Sequence, residues 1–248
     1  VIRFLPAPAV DGDDGLPWVR IFNHGFKGPS GKWYIENSLT TLNQKDPVSE
    51  FNSQLWNASS EESSPQRKQA REQKRRLTYI SNILVISDPK HPENEGKVKL
   101  FKYGKKIFDK ISMPMDPEFE GDEAGNSFDF WKGANFELKI RKVDGFRNYD
   151  KSAFKPVSPV ANGDDAALEA IWGQEHSLIE FLDPKNFKSY DELKKRLDKV
   201  LGSTEMPTST VEKAASAPKK VEESAPWHDT TTEDEDDDMS YFSKLADD

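Results

Sequence analysis

Three segments of this 248-residue chain set cations beside aromatic rings: Lys74-Arg75-Arg76-Leu77-Thr78-Tyr79, Phe101-Lys102-Tyr103-Gly104-Lys105-Lys106 and Phe146-Arg147-Asn148-Tyr149. A cation neutralises a phosphate, and an exposed ring stacks on an unpaired base. A single nucleic-acid strand offers both partners at once, whereas a duplex hides the faces of its bases. Each stacked base contributes roughly 1 to 3 kcal/mol, so a few rings count for as much as the charges. Taken singly, each of these aromatics is better read as a core residue and each charge as part of a solvated face, with the two readings even for Tyr79 and Phe101. Recurrence of the pairing in three segments is what points to a binding surface, with its main stretch between Arg67 and Lys110.

A second pattern lies near the C-terminus. Glu233, Asp234, Glu235, Asp236, Asp237 and Asp238 are followed by Met239, Tyr241, Phe242 and Leu245. Acids with apolar residues close behind suit a partner-binding peptide or a mimic of nucleic acid, and the plainer reading is a solubilising tail.

The formal net charge of -9 is unevenly distributed. Residues 203 to 248 hold 13 acids and 4 bases, which accounts for the whole excess. Residues 67 to 110 carry 13 bases against 5 acids, while the flanks 1 to 66 and 111 to 202 are mildly acidic. Positive charge is therefore concentrated where the aromatics are.

Enzyme chemistry finds no footing. There is no cysteine, which removes thiolate metal sites, disulfides and cysteine nucleophiles. Gly25, Gly28, Gly31 and Lys32 approximate a phosphate loop, but the spacing is wrong and Trp33 stands where Ser or Thr would hold magnesium. Neither G-x-S-x-G nor H-E-x-x-H occurs, and His24, His91, His176 and His228 are scattered. No apolar run is long enough to span a membrane, and the start lacks the core of a signal peptide, so the expectation is a soluble intracellular protein that does not engage membranes.

The elements that must position the three segments are mostly strands. Val1 to Leu5, Trp18 to Phe22, Lys32 to Ile35, Thr78 to Ile86, Lys97 to Tyr103 and Phe136 to Val143 read as strands separated by turn signals. Ile107, Phe108 and Ile111 are spaced as one face of a short helix. Helices are also expected over Asp164 to Leu182 and over Ser189 to Leu201, the latter opening on a Ser189/Glu192 capping box. Residues 57 to 73 have little apolar to bury and read as a mobile loop, and residues 112 to 130 read as an acidic excursion. From Ser203 the composition is that of a disordered tail. The fold class expected is mainly β (α+β): a small antiparallel barrel or sandwich with a few peripheral helices.

Several strings resemble the single-stranded DNA-binding protein family of T-even-type tailed phages, the gene-32 products. They are Val1-Ile2-Arg3-Phe4-Leu5-Pro6, Asn23-His24-Gly25-Phe26-Lys27, Gly31-Lys32-Trp33-Tyr34-Ile35-Glu36, Asn82-Ile83-Leu84-Val85 and Pro92-Glu93-Asn94-Glu95-Gly96-Lys97-Val98. Gly104-Lys105-Lys106-Ile107, Asp109-Lys110-Ile111, Gly133-Ala134-Asn135-Phe136 and Gly145-Phe146 with Asn148-Tyr149-Asp150 follow in the family order, with a weaker echo at Lys188 to Leu193.

The resemblance implies an OB-fold core over residues 1 to 202. Its basic, aromatic cleft would coat single strands in phage replication, recombination and repair, in the cytoplasm of the infected bacterial host. Positions matching the family's cleft are Arg3, Arg75, Arg76, Tyr79, Phe101, Phe146 and Tyr149. The segment pattern adds Lys74, Lys102, Tyr103, Lys105, Lys106 and Arg147. An acidic tail over 203 to 248 is implied to recruit replisome and recombination proteins and to compete with DNA for the cleft.

The family's structural zinc is held by one His and three Cys. His24 matches the His, but Ser38, Asp46 and Ser49 fall near the Cys positions, so no zinc is expected in the 23 to 56 subdomain, and its 36 to 56 region should hold itself by packing Leu39, Val48, Phe51, Leu55 and Trp56. The family's basic N-terminal arm precedes the Val-Ile-Arg-Phe string and is not in this sequence, which puts cooperative self-association along DNA in question. A protein-interaction scaffold acting through the tail without DNA binding is the alternative, and a nuclease using the same surface is a third, weaker one.

Overall fold

A computed structural model of the chain describes residues 1 to 117, 124 to 143 and 145 to 202. In chain order the strands are β1 (Ile2–Phe4), β2 (Val19–Lys27), β3 (Trp33–Asn37), β4 (Arg76–Val85), β5 (Val98–Tyr103), β6 (Ala134–Glu137), β7 (Arg141–Val143), β8 (Phe146–Asn148) and β9 (Ala153–Val157). The helices are α1 (Pro47–Asn57), α2 (Pro65–Glu72), α3 (Lys105–Ser112), α4 (Asp165–Trp172) and α5 (Tyr190–Leu201).

Strand β4 is the hub. Its first half pairs antiparallel with β2, from Asn23 opposite Arg76 to Val19 opposite Ile80. Its second half pairs with β1, which sets Ile2 opposite Val85, and β5 runs along the other edge with Tyr79 opposite Tyr103. With neighbours on both edges and layers on both faces, every residue from Thr78 to Val85 is buried, which is why this stretch reads as one unbroken strand. The sheet runs β3-β2-β4-β1-β6-β9 with β5 attached to β4, a mostly antiparallel arrangement as expected, and the ladder does not close into a barrel.

Four apolar clusters hold it. The largest gathers Ile2, Phe4, Tyr79, Ile83, Val85, Tyr103, Ile107, Ile111, Phe128 and Phe136 between the sheet and α3. A second packs the β2-β3 hairpin against α1 and α5 through Phe26, Tyr34, Leu39, Val48, Leu193, Leu197 and Val200. Leu39 and Val48 are buried there and Phe51 packs against them, as three of the five residues expected to pack this region should. The end of α5 is seated closely on the β2-β3 turn. A Cβ at Gly28 would lie 2.3 Å from the Val200 carbonyl oxygen, and Ser30 donates to that oxygen from both its N–H and its hydroxyl. Smaller clusters centre on Leu5, Leu84, Phe130, Val160 and Leu168, and on Val19, Ile21, Ile80 and Leu178.

Four local expectations change. Part of the segment read as a mobile loop is α2, whose first turn is set by the Ser64 cap and Pro65. Its Arg67 and Arg71 lie over the Trp56 ring at 4.3 and 5.6 Å and both pair with Glu62, contacts that apolar periodicity does not report. The helix expected from Asp164 to Leu182 is only α4, followed by a separate 3-10 turn at Ile179–Leu182. Between them Asn82 accepts from the His176 N–H and donates to its carbonyl, holding that stretch in a non-helical path.

The strand expected from Phe136 to Val143 is two. The Ser152 hydroxyl takes the Lys139 N–H and donates to the Lys139 carbonyl, so the chain leaves the main sheet and β7 pairs with β8 in a hairpin of its own. In the stretch read as an acidic excursion, Phe128 and Phe130 are buried, and Ser127 bonds the Ile111 carbonyl. Among the described residues no helix is long and apolar enough to cross a membrane.

Candidate nucleic-acid interface

A cleft of about 870 Å³ opens between the sheet and α1. One wall is built from β2, the start of β4 and the first turn of α3, and carries Phe22, Lys74, Arg75, Leu77, Tyr79 and Lys105. The facing wall is polar, with Gln44 and Lys45 before α1 and Glu50, Ser53 and Gln54 along it. Arg75 stands over the Phe22 ring at 4.2 Å, which fixes the guanidinium while leaving its charge on the cleft side. Lys74 is exposed, and Arg75 and Arg76 are half-buried.

The first turn of α3 places Lys105 and Lys106 where the helix macrodipole is already positive, an unfavourable position for cations. Lys105 is offset by Asp109 one turn on, at 2.9 Å. A phosphate held at this end would be favoured by both the lysines and the dipole. Lys102 is exposed on β5.

The aromatics divide. Tyr79 and Tyr103 are only 5% and 2% exposed, so neither offers a free face to a base. Tyr79 lies flat on Phe108 with ring centres 3.9 Å apart, and Tyr103 stacks between Tyr79 and Phe101 at 5.8 and 5.4 Å. The Tyr103 hydroxyl meets Ser81 at 2.8 Å, and burial raises its pKa. These rings form a column under the cleft, ending in the half-buried Phe101 and Phe108. Tyr79 still reaches the cleft at its edge.

Arg3 is corrected outright. Its side chain is fully buried, and its guanidinium donates to the carbonyls of Ser158, Asp129 and Phe130 at 3.0, 2.7 and 3.3 Å. Burial lowers its pKa, with Asp129 opposing that shift. It braces the β6 lead-in rather than facing a ligand.

Phe146 and Arg147 are exposed on the β7-β8 hairpin, and the half-buried Tyr149 packs on the main core. The hairpin is tied down by an Arg141–Asp150 ion pair, and Lys110 of α3 donates to the Asp150 carbonyl. Of the thirteen positions Lys74, Arg75, Tyr79 and Lys105 line the cleft, Phe146 and Arg147 stand on the hairpin, Arg3 and Tyr103 are buried supports, and Arg76, Phe101, Lys102, Lys106 and Tyr149 lie outside the cleft lining. Sequence reasoning missed Phe22, Lys45 and the whole α1 wall, none of which sits in a cation-aromatic string. It also missed Phe108 as a stacking partner, although one turn beyond Lys105 would have included it. Glu233 to Asp238, Tyr241 and Phe242 lie outside the described residues.

Comparison with known proteins agrees with this chemistry. A family model described as gp32 DNA binding protein like matches residues 1 to 201. The chain is 38% identical over 251 aligned residues to the single-stranded DNA-binding protein of Enterobacteria phage T2, covering 98% of this chain and 80% of that protein. The corresponding protein of Enterobacteria phage T4 matches at the same identity and coverage. A shorter match, 42% identical over 66 residues, is to the single-stranded DNA-binding protein of Escherichia phage SV14, covering 25% of this chain and 55% of that protein.

Proposed function

From the premise that the chain belongs to the gp32-like DNA-binding protein family, we propose that it is a non-enzymatic protein that coats single-stranded DNA with little regard to sequence. The observation that carries this is the cleft, where Lys74, Arg75 and Lys105 stand beside the apolar surface of Phe22, Leu77 and Tyr79. Phosphates take the cations and unstacked bases take the apolar floor, chemistry that every base shares. The exposed Phe146 and Arg147 extend the same chemistry onto the hairpin.

The biological setting is replication, recombination and repair of phage DNA in the cytoplasm of the infected host. Residues 203 to 248 carry net charge opposite to the 67 to 110 stretch, which supports a tail that competes with DNA for the cleft and recruits other replication proteins. The division into a binding core over 1 to 202 and an acidic interaction tail belongs to the same proposal.

A salt titration on single and double strands, with and without residues 203 to 248, tests it. If about four phosphates are engaged, log affinity falls against log salt with a slope of roughly -3 on single strands. Removal of the tail tightens binding. Affinity that ignores salt, or no single-strand binding by either form, overturns the proposal in favour of a scaffold acting through the tail.

A further inference from the structure

The zinc implied by the family resemblance would need four lone-pair donors aimed at one point, and the positions concerned are His24, Ser38, Asp46 and Ser49. Most of their polar atoms are engaged within the protein, and a serine hydroxyl is a poor zinc ligand. His24 is buried, with Nδ1 3.0 Å from the Gln73 carbonyl oxygen and Nε2 3.3 Å from Oδ1 of Asp46. Asp46 is 1% exposed; its Oδ1 accepts the N–H groups of Val48 and Ser49, both at 3.0 Å, and its Oδ2 accepts that of Leu39 at 3.1 Å. Ser38 turns its hydroxyl to Thr40 at 3.0 Å, and Ser49 is engaged by Asp46 through its backbone N–H. Among the described residues no group of three or more His, Asp or Glu could hold a metal ion. The residues do not fit zinc.

What they build instead joins the chain segments that a metal would join. His24 belongs to β2, Leu39 opens the 3-10 turn at Leu39–Leu42, and Asp46 caps α1. Gln73 leads into β4 and its carbonyl also accepts from Asn52 of α1 at 3.0 Å. We propose that the His24–Asp46 pair, with the three backbone N–H groups gathered by Asp46, is a metal-free clamp that replaces the zinc centre and holds the α1 wall of the cleft in place. A buried carboxylate with its oxygens so engaged is costly to remove.

The test uses the full chain and needs no DNA, so its failure and that of the DNA-binding proposal are separable. Zinc content of the purified protein and its unfolding temperature with and without a strong chelator are measured first. Then D46A, H24Q, D46N and the H24Q/D46N pair are unfolded thermally. The clamp predicts no stoichiometric zinc and no chelator shift. It also predicts a fall of roughly 5 to 15 °C for D46A. Should D46A be too unstable to purify, H24Q supplies the comparison, and its effect should largely vanish in a D46N background. One equivalent of zinc whose removal lowers the unfolding temperature overturns the proposal. So do D46A and H24Q variants that unfold where the parent does.

Discussion

The Tyr190 hydroxyl of α5 donates to Oε2 of Glu50 on α1 across 2.6 Å, and Glu50 lines the cleft. The bond to Glu50, then burial, push the Tyr190 pKa up to about 12, so the phenol remains a donor throughout the physiological range. The C-terminal helix thereby sets the position of a carboxylate on the polar wall. Y190F should cost about 1 kcal/mol of stability through loss of a charge-assisted bond. It should also alter single-strand affinity while leaving the salt slope unchanged, since no cation is removed. Thermal unfolding and a salt titration check both.

The cations are expected to separate from the rings by salt dependence. K74A, R75A and K105A should each reduce the magnitude of the slope by about 0.7, the share of one phosphate on a single strand. R75A removes the partner of Phe22 as well, so its loss of affinity at low salt should exceed that of K74A. Equal slopes in the parent and all three variants would remove these residues from the interface.

Tyr79 and Arg3 are expected to act on stability first. Y79A deletes a ring stacked on both Phe108 and Tyr103 and should cost about 3 to 5 kcal/mol. R3A removes a charged donor from the carbonyls of Ser158, Asp129 and Phe130, the last two keeping the N–H groups of Gly133 and Val160, a loss of roughly 2 to 3 kcal/mol. G133A provides an independent check, because a Cβ there would lie 2.9 Å from Nη2 of Arg3 and 2.4 Å from the Asp129 carbonyl oxygen. Denaturant unfolding should show G133A and R3A destabilised and less than additive when combined.

Glu175 is buried with neither carboxylate oxygen hydrogen-bonded, and burial first and Asp11 second push its pKa up to about 8 from an ordinary 4.5. Because the folded value lies above the unfolded one, the native state keeps a proton that the unfolded chain gives up. Stability from this group is complete below about pH 4.5 and is lost as pH rises through about 8. E175Q should flatten that decline and stabilise the protein by roughly 1 to 3 kcal/mol at the alkaline end. Unfolding free energies measured across this window decide it.

What the sequence discloses depends on how local the cause is. Strand β4 is legible because burial on every side favours a run rich in β-branched and aromatic residues, interrupted only by Ser81 and Asn82, and α5 because Ser189 and Glu192 form a capping box within four residues. Helix α2 is hidden because its supports are a cap, a proline and two arginines on Trp56, with little apolar periodicity. The break between β6 and β7 is hidden because its cause, Ser152, lies 13 residues from Lys139. The candidate site was half legible. Lys74, Arg75 and Lys105 line the cleft as their pattern suggests, yet the same pattern could not tell that Tyr79 and Tyr103 turn toward the core. The opposite wall carries no such pattern, since its members reach the cleft only through the docking of α1.

The seat of Val200 on Gly28 and Ser30 has a mechanical side. A pull on residues beyond 202 meets this buttress first, loading the β2-β3 turn in place of the sheet. Tension that overcame it would run down α5 to Tyr190 and tug on Glu50, so the cleft wall and the C-terminal segment share one lever with its fulcrum at Gly28.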